Sequence, residues 1–330
     1  MRVPTSIASW WPAQAERRRS LRRGRFSPQL PKNSRFGGYF LSAMIEYLHI
    51  MQINPPTKEI ARAFGSSVEP ERLEGGQGTS YRSGEIMLKP ADSAEYSEWI
   101  AELFSSLPAS PGVRFARPIK SSSDEWIYDG YVGWEFLEGE HIEGYYHDKL
   151  IASKIFHKSL AGVAKPKFLA TPTGPWSAAD QIVWQGSSFE YSQEFMDLIN
   201  QITPHLKPVD GSEQLIHGDL LGNFLISDNL SPAIIDFSPV WAPVGFAEGI
   251  MLVDAITWEG ATATDLAVFN SVPNIVQFAW RGVFRRIAEQ AEQIKWLNKD
   301  KNQAIEAAQA FQVAINYLTL CPPTAGTPNS

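Results

Sequence analysis

The 330-residue chain contains a single cysteine, Cys321, close to its end. One thiol can neither close a disulfide within the chain nor build a thiolate metal cage. That usage suits a reducing compartment, so a cytoplasmic location is expected. Long apolar runs are missing as well. None approaches the roughly 18 residues of a membrane span, and the apolar stretch 249–258 is interrupted by Asp254. No membrane partner is expected. The P-loop G-x-x-x-x-G-K-[ST], the zinc-binding H-E-x-x-H and the nucleophile elbow G-x-S-x-G are all absent, as are internal repeats.

Basic residues are scarce beyond the amino-terminus. The first 50 residues carry nine Lys+Arg against two Asp+Glu, while the remaining 280 carry 20 against 34. Such an asymmetry marks the Arg17–Arg19 and Arg22–Arg23 region as a separate element. It lacks the order of a secretory signal, because the basic block follows the weak apolar part. We read residues 1–53 as a basic extension without stable structure, and 322–330 as a similar tail. A mitochondrial-type presequence, a nucleic-acid tail or an upstream start codon ahead of Met44 or Met51 are the other readings of the extension. The acidic remainder argues against nucleic acid as a partner of the main domain.

What is present is concentrated in residues 216–238, IHGDLLGNFLISDNLSPAIIDFS. Asp219 and Asp236 each border a short apolar run, Phe224–Ile226 after the first and Ala233–Ile235 before the second. Asp228-Asn229 between the runs reads as a turn, so a hairpin is expected to bring both aspartates to one end. Two carboxylates with the Asn223 amide between them form the oxygen-rich ground that a Mg²⁺–nucleotide site needs.

HGDLLGN followed by IDFS resembles the catalytic and metal-binding loops of the aminoglycoside phosphotransferase family, small-molecule kinases with a protein-kinase-like fold. Pro175-Trp176-Ser177-Ala178-Ala179-Asp180 and IDFSP are similar to segments of an uncharacterised, mainly actinobacterial branch of that family. The resemblance covers residues 54 to 320. It implies an α+β, two-lobed fold, with a small antiparallel sheet in an N-lobe over 54–134 and a mainly helical C-lobe over 135–321. It also implies Asp219 as the catalytic residue, and Asn223 and Asp236 as ligands of Mg²⁺. In most relatives the loop asparagine stands five residues after the catalytic aspartate; here it stands four after.

Upstream, LEGGQGTSYRSGEIMLKP supplies a glycine-rich turn and then a strand. Gly75, Gly76 and Gly78 permit close approach of backbone N–H groups to an anion, and Thr79 and Ser80 add hydroxyl donors. GGQG also suits an ordinary hairpin turn, and Tyr81 occupies the last position of a full G-x-G-x-x-G. The strand Ile86–Leu88 delivers Lys89, placed like the phosphate-binding lysine of kinases. Helical spacing follows, with Glu95, Glu98 and Glu102 on one face. By the resemblance Glu98 holds Lys89, with Glu95 and Glu102 as alternatives.

Strand-like segments at 113–118 and 126–137 lead to WEFLEGE, placed like the kinase hinge. Glu135, Phe136 and Leu137 are assigned to adenine by position. Residues 148–164 read as an amphipathic helix with Leu150, Ile151, Ile155 and Leu160 inward. His157 and His217 read as structural. Helices near 245–260, 274–296 and 301–318 complete the lobe; Trp258, Glu259, Trp280 and Arg281 are candidates for a substrate cleft, with core packing the favoured reading for the two tryptophans. About nine residues separate Asp236 from the next helix, leaving no room for the long peptide-docking segment of protein kinases.

The expected activity is ATP- or GTP-dependent transfer of phosphate to a hydroxyl of a small-molecule acceptor. The alternative is a degenerate kinase fold acting as a nucleotide-binding or interaction module. Deleting residues 1–50 is expected to leave a folded protein with nearly the full-length melting temperature. Insolubility of the truncated chain would place that stretch in the core instead.

Overall fold

A computed structural model describes residues 54–73, 79–320 and 322–323. Expectations for residues 1–53, for Gly75, Gly76 and Gly78, and for the tail beyond 323 lie outside the described residues. Among the described residues no helix is long and apolar enough to cross a membrane.

The chain opens with α1 (Lys58–Ala63), capped by the Thr57 hydroxyl, which accepts from the Ile60 N–H at 3.3 Å. Seven short strands follow: β1 (Glu71–Arg72), β2 (Tyr81–Ser83), β3 (Ile86–Pro90), β4 (Arg114–Phe115), β5 (Pro118–Ile119), β6 (Ile127–Tyr128) and β7 (Tyr131–Glu135). All except β4 join one antiparallel sheet in the order β1-β2-β3-β7-β5, with β6 also on β7. The stretch expected as one strand over 126–137 is a hairpin. Asp129 and Gly130 both take positive φ, at 46° and 77°, the pairing that a tight Asp-Gly turn needs. Ile86 and Leu88 on β3 bury with Tyr131, Ile60, Ala61 and Phe64 in a small core. Alternation along β3 sends Lys89 to the other face. Gly133 allows α1 to sit this close, since a Cβ there would lie 2.6 Å from the Phe64 ring.

Helix α2 (Ala94–Ser106), capped by Ser93, buries Ser97, Ala101 and Phe104 at i, i+4, i+7 spacing. Phe104 then meets Phe115, Trp134, Phe156 and Phe237, with ring centroids 5.4 to 6.1 Å apart. That cluster joins α2, two strand segments, the first C-lobe helix and the residue after Asp236. It binds the two lobes by apolar contact.

The C-lobe contains α3 (Tyr146–Ser159), α4 (Pro175–Gln185), α5 (Gln193–Ile202), α6 (Gly245–Thr257), α7 (Ala263–Leu266), α8 (Ile275–Leu297), α9 (Lys301–Gln309) and α10 (Gln312–Leu320). Four further strands are β8 (Glu213–His217), β9 (Phe224–Ser227), β10 (Leu230–Ile234) and β11 (Pro239–Pro243). The expected hairpin is β9–β10, and β10 also pairs in parallel with β4. On α3 the inward face is Leu150, Ser153, Phe156 and His157, while Ile151 is 42 % exposed. Ile151 was expected inward; it sits one residue from Leu150, about 100° around the helix, on the solvent side.

The 23-residue α8 runs through the lobe against α4 and α6. Glycines set its approach to α6. A Cβ on Gly249 would lie 2.5 Å from the Phe278 backbone carbon, and one on Gly282 would lie 3.2 Å from the Gly249 carbonyl oxygen. Backbone cannot yield as a flexible side chain can. Gly249→Val is therefore expected to destabilise the fold by about 2 kcal/mol or more. A urea unfolding curve with an unchanged midpoint would contradict this helix contact.

Candidate active site

Two separate pairings bring the motif segments together. The β9–β10 hairpin is one. The other is the β8–β11 ladder, in which His217 stands opposite Pro239 and the Gly218 N–H donates to the Ser238 carbonyl at 2.8 Å. Gly218 is required at this crossing, since a Cβ would lie 2.5 Å from Val240 Cγ2.

His217 sits fully buried between the two loops. Its Nδ1 faces the N–H groups of Asp219, at 3.1 Å, and Ser238, at 3.5 Å, so it accepts. The ring proton therefore lies on Nε2 and points at the Ile235 carbonyl, 3.1 Å away. Burial pushes the imidazole down to about 4, against the pull of the Ile235 carbonyl and the Asp219 and Asp236 charges. His157 supports it from behind. Its Nε2 accepts the His217 N–H at 3.1 Å, and its Nδ1 lies 3.2 Å from the Ser153 hydroxyl, which donates to Glu248 at 2.7 Å. His217 is thus neutral scaffolding rather than a proton carrier, and His157 holds it in place.

Asp219 and Asn223 face each other across a single 3-10 turn, Leu221–Asn223. Four residues on from Asp219, the Asn223 Nδ2 reaches the Asp219 carbonyl at 2.6 Å. Its second neighbour is the Asp219 Oδ2 at 3.4 Å. Both are acceptors, so the amide nitrogen faces them and the amide oxygen is left for a cation. Asp236 takes a left-handed φ of 50° and pairs with the Lys89 ammonium. Burial would raise both aspartates, but Arg286 beside Asp219 and Lys89 beside Asp236 hold each below the ordinary carboxylate value.

The structure differs from expectation at Glu98. That side chain is exposed, and no ion pair joins it to Lys89 among the described residues. The α2 surface that meets the segment after Asp236 carries Tyr96 instead, whose hydroxyl donates to the Phe237 carbonyl at 3.4 Å. Glu98 lies about 200° around the helix from Tyr96, and Lys89 takes Asp236 as its partner. Thr79 and Ser80 precede β2, and the Ser80 carbonyl accepts from Leu73 at 2.9 Å. At the hinge, the Glu135 N–H is committed to Arg117 and the Phe136 N–H to Glu85. The Arg82 guanidinium also covers the Phe136 ring at 3.7 Å. Only Leu137 of the three keeps its backbone groups unbonded among the described residues.

Sequence reasoning missed the charges behind Asp219. Arg285 and Arg286 lie side by side on α8, both buried. Arg285 holds Asp180 at 2.6 Å and faces Glu289. Arg286 holds Asp219 at 2.6 Å, Asp254 through Nε at 3.0 Å and Glu289 at 3.0 Å. Burial pushes Asp254 up to about 6, although Arg286 opposes the shift. The visible signals were Asp254 within an apolar helix and two arginines between Phe284 and Ile287. The cleft candidates resolve as structural. Glu259 accepts from Gly144 N–H and Tyr146 hydroxyl, Trp280 stacks on His205 at 4.4 Å, and Arg281 bonds the Lys207 carbonyl. Trp258 packs edge-on against Phe311 at 5.3 Å.

Two of the perturbed groups, His217 and Asp254, act oppositely with pH. His217, depressed from 6.5 to about 4, contributes stability above 6.5 that is lost as pH falls toward 4. Asp254, raised from 3.8 to about 6, contributes stability that is full below 3.8 and lost as pH rises through 6. Each shift corresponds to about 3 kcal/mol, so they largely offset one another between pH 4 and 6. Asp254→Asn removes the counterweight. Its melting temperature is expected to fall more steeply than wild type on acidification from pH 6.5 to 4, and parallel curves would refute the assignment.

Comparison with known proteins places the architecture. No protein-family model matches the chain, and no curated protein matches it by sequence. Solved structures do match in three dimensions. An amicoumacin kinase bound to AMP-PNP and Ca²⁺ aligns at TM-score 0.52 and 10% identity, covering 83% of this chain and 95% of that one. An AMP-bound spectinomycin phosphotransferase aligns at 0.51 and 11%, covering 84% and 98%. An aminoglycoside phosphotransferase from Alicyclobacillus acidocaldarius subsp. acidocaldarius aligns at 0.50 and 16%, covering 81% and 96%. The chain therefore has the two-lobed α+β fold of the aminoglycoside phosphotransferases and related small-molecule kinases.

Proposed function

We propose that the protein is a phosphotransferase that moves the γ-phosphoryl group of ATP, or GTP, to a hydroxyl of a small molecule. The observation that carries this reading is the meeting of Lys89 with Asp236, from segments 147 positions apart, beside Asp219 and Asn223. Structural neighbours that hold adenine nucleotides support it.

The donor set suits a hard cation. Asp236 offers a carboxylate and Asn223 its amide oxygen, and among the described residues no cluster of three or more His, Cys, Asp or Glu forms a closed cage. Mg²⁺ is held in that open manner by one or two carboxylates with the substrate phosphates, whose charge it neutralises. On nucleotide binding Lys89 exchanges Asp236 for the phosphates. Leu137 is the hinge position left to meet the base. Asp219 orients the acceptor hydroxyl toward the γ-phosphorus. The acceptor O–P bond forms as the bond to the β,γ-bridging oxygen breaks, ADP leaves with the electron pair, and the hydroxyl proton passes to Asp219 and on to solvent. Because Asp219 is held below the ordinary carboxylate value by Arg286, its part is alignment more than basicity.

β11 and α6 follow Asp236 directly, which leaves no peptide-docking segment and favours small acceptors. Against this stands the nucleotide-binding module without catalysis, favoured by the placement of Glu98 away from Lys89.

Mg²⁺–ATP at about 100 times its dissociation constant is expected to add about 2.7 kcal/mol to stability, and Asp236→Ala to abolish the metal-dependent part. Asp219→Asn is expected to lower turnover by about 10² to 10⁴-fold with nucleotide affinity unchanged. The measurement is nucleotide consumption with sugars, aminoglycosides and amino alcohols offered as acceptors. A nucleotide-bound wild type that phosphorylates none of a broad panel would shift the assignment to the binding module.

A further inference from the structure

Arg286 is 8 % exposed, yet its guanidinium holds the one carboxylate proposed to meet the acceptor. Each of the three guanidinium nitrogens is bonded. Nε and Nη2 grip the two oxygens of Asp254 on α6, and Nη1 holds Glu289 one turn along α8 at 3.0 Å. Asp254 and Glu289 come from the helical scaffold. The remaining bond, Nη2 to Asp219 Oδ1 at 2.6 Å, crosses to the catalytic loop. A planar fork fixed on the scaffold side transmits its plane and position to whatever it holds on the other.

The consequence falls on the two oxygens of Asp219. Oδ1 is tied to Arg286. Among the described residues Oδ2 has only the Asn223 amide at 3.4 Å, too long for a strong bond, and the side chain remains 36 % exposed. Stability alone does not account for the arrangement. Burying ions costs desolvation energy that largely offsets their attraction, and a well-packed apolar side chain would join α6 to α8 as firmly.

We propose that Arg286 is a positioning residue for phosphoryl transfer: it fixes the Asp219 carboxylate so that Oδ2 alone receives the acceptor hydroxyl. This role rests on the phosphotransferase reading above. Lysine cannot replace it, because a point charge lacks the fork that holds Asp219 and Asp254 in one plane.

The test uses the full chain and water as the acceptor, measured as inorganic phosphate released from Mg²⁺–ATP. Arg286→Lys is expected to lower kcat by about 10- to 100-fold with KM for ATP changed less than about twofold. In an Asp219→Asn background the same change is expected to cause no further loss, since the group it positions is already disabled. Asp254→Asn, which frees one edge of the guanidinium, is expected to lower kcat by a smaller factor and leave KM alone. A purely structural arginine would instead raise KM together with the fall in kcat, or slow the Asp219→Asn protein further; either result overturns the role. Urea unfolding of the two single variants and the double variant gives a second measurement. Midpoint shifts that do not sum support the coupling, and additive shifts overturn the pairing whatever the activity. A wild type that binds nucleotide but releases no phosphate, to water or to any hydroxyl offered, would overturn the phosphotransferase reading and this role with it.

Discussion

A neutral imidazole sets the spacing of the two candidate loops. His217 accepts the Asp219 N–H at Nδ1 and donates from Nε2 to the carbonyl just before Asp236. One rigid ring thereby fixes where both aspartates begin. It can do so only while it carries a single proton, because a second would remove the acceptor at Nδ1. Burial enforces that state, and the edge-on ring of Phe237 at 5.4 Å supplies part of the apolar surroundings. The same Phe237 reaches Phe104 of the N-lobe helix. The contact that keeps the histidine dry therefore also ties the lobes together.

Charge is treated differently on the two sides of this ring. Toward the cleft, Asp236 and Lys89 are a partly exposed pair that solvent or a ligand can reach. Behind Asp219, two arginines and the carboxylates of Asp180, Asp254 and Glu289 are packed between helices. Exposed pairs exchange partners readily, whereas buried ones hold geometry because breaking them strands a charge. The division matches the separate demands of the proposed reaction. The nucleotide side must open to admit phosphates, and the acceptor side must keep one carboxylate still.

The loop between Asp219 and Asn223 closes on itself. Asp219 and Asn223 stand four residues apart. The tight 3-10 turn at Leu221–Asn223 brings the Asn223 amide onto the Asp219 carbonyl.

Much of this was legible along the chain. Alternation in Ile86–Leu88 and the paired runs around Asp228-Asn229 determined β3 and the β9–β10 hairpin, because strand periodicity and turn chemistry are local properties. Motif chemistry likewise determined which aspartates and asparagine belong together. That Glu98 would not hold Lys89 was not legible, because a helix turns about 100° per residue and only packing decides that Tyr96, not Glu98, faces the Phe237 backbone. Nor was the role of Arg286. Its partners Asp219, Asp254 and Glu289 lie on three different elements, and the glycine seam between α6 and α8 brings two of those elements close enough to share it. The sequence by itself determined the elements and the chemical groups; the tertiary structure decided which charges meet, because that depends on helix rotation and approach across the core.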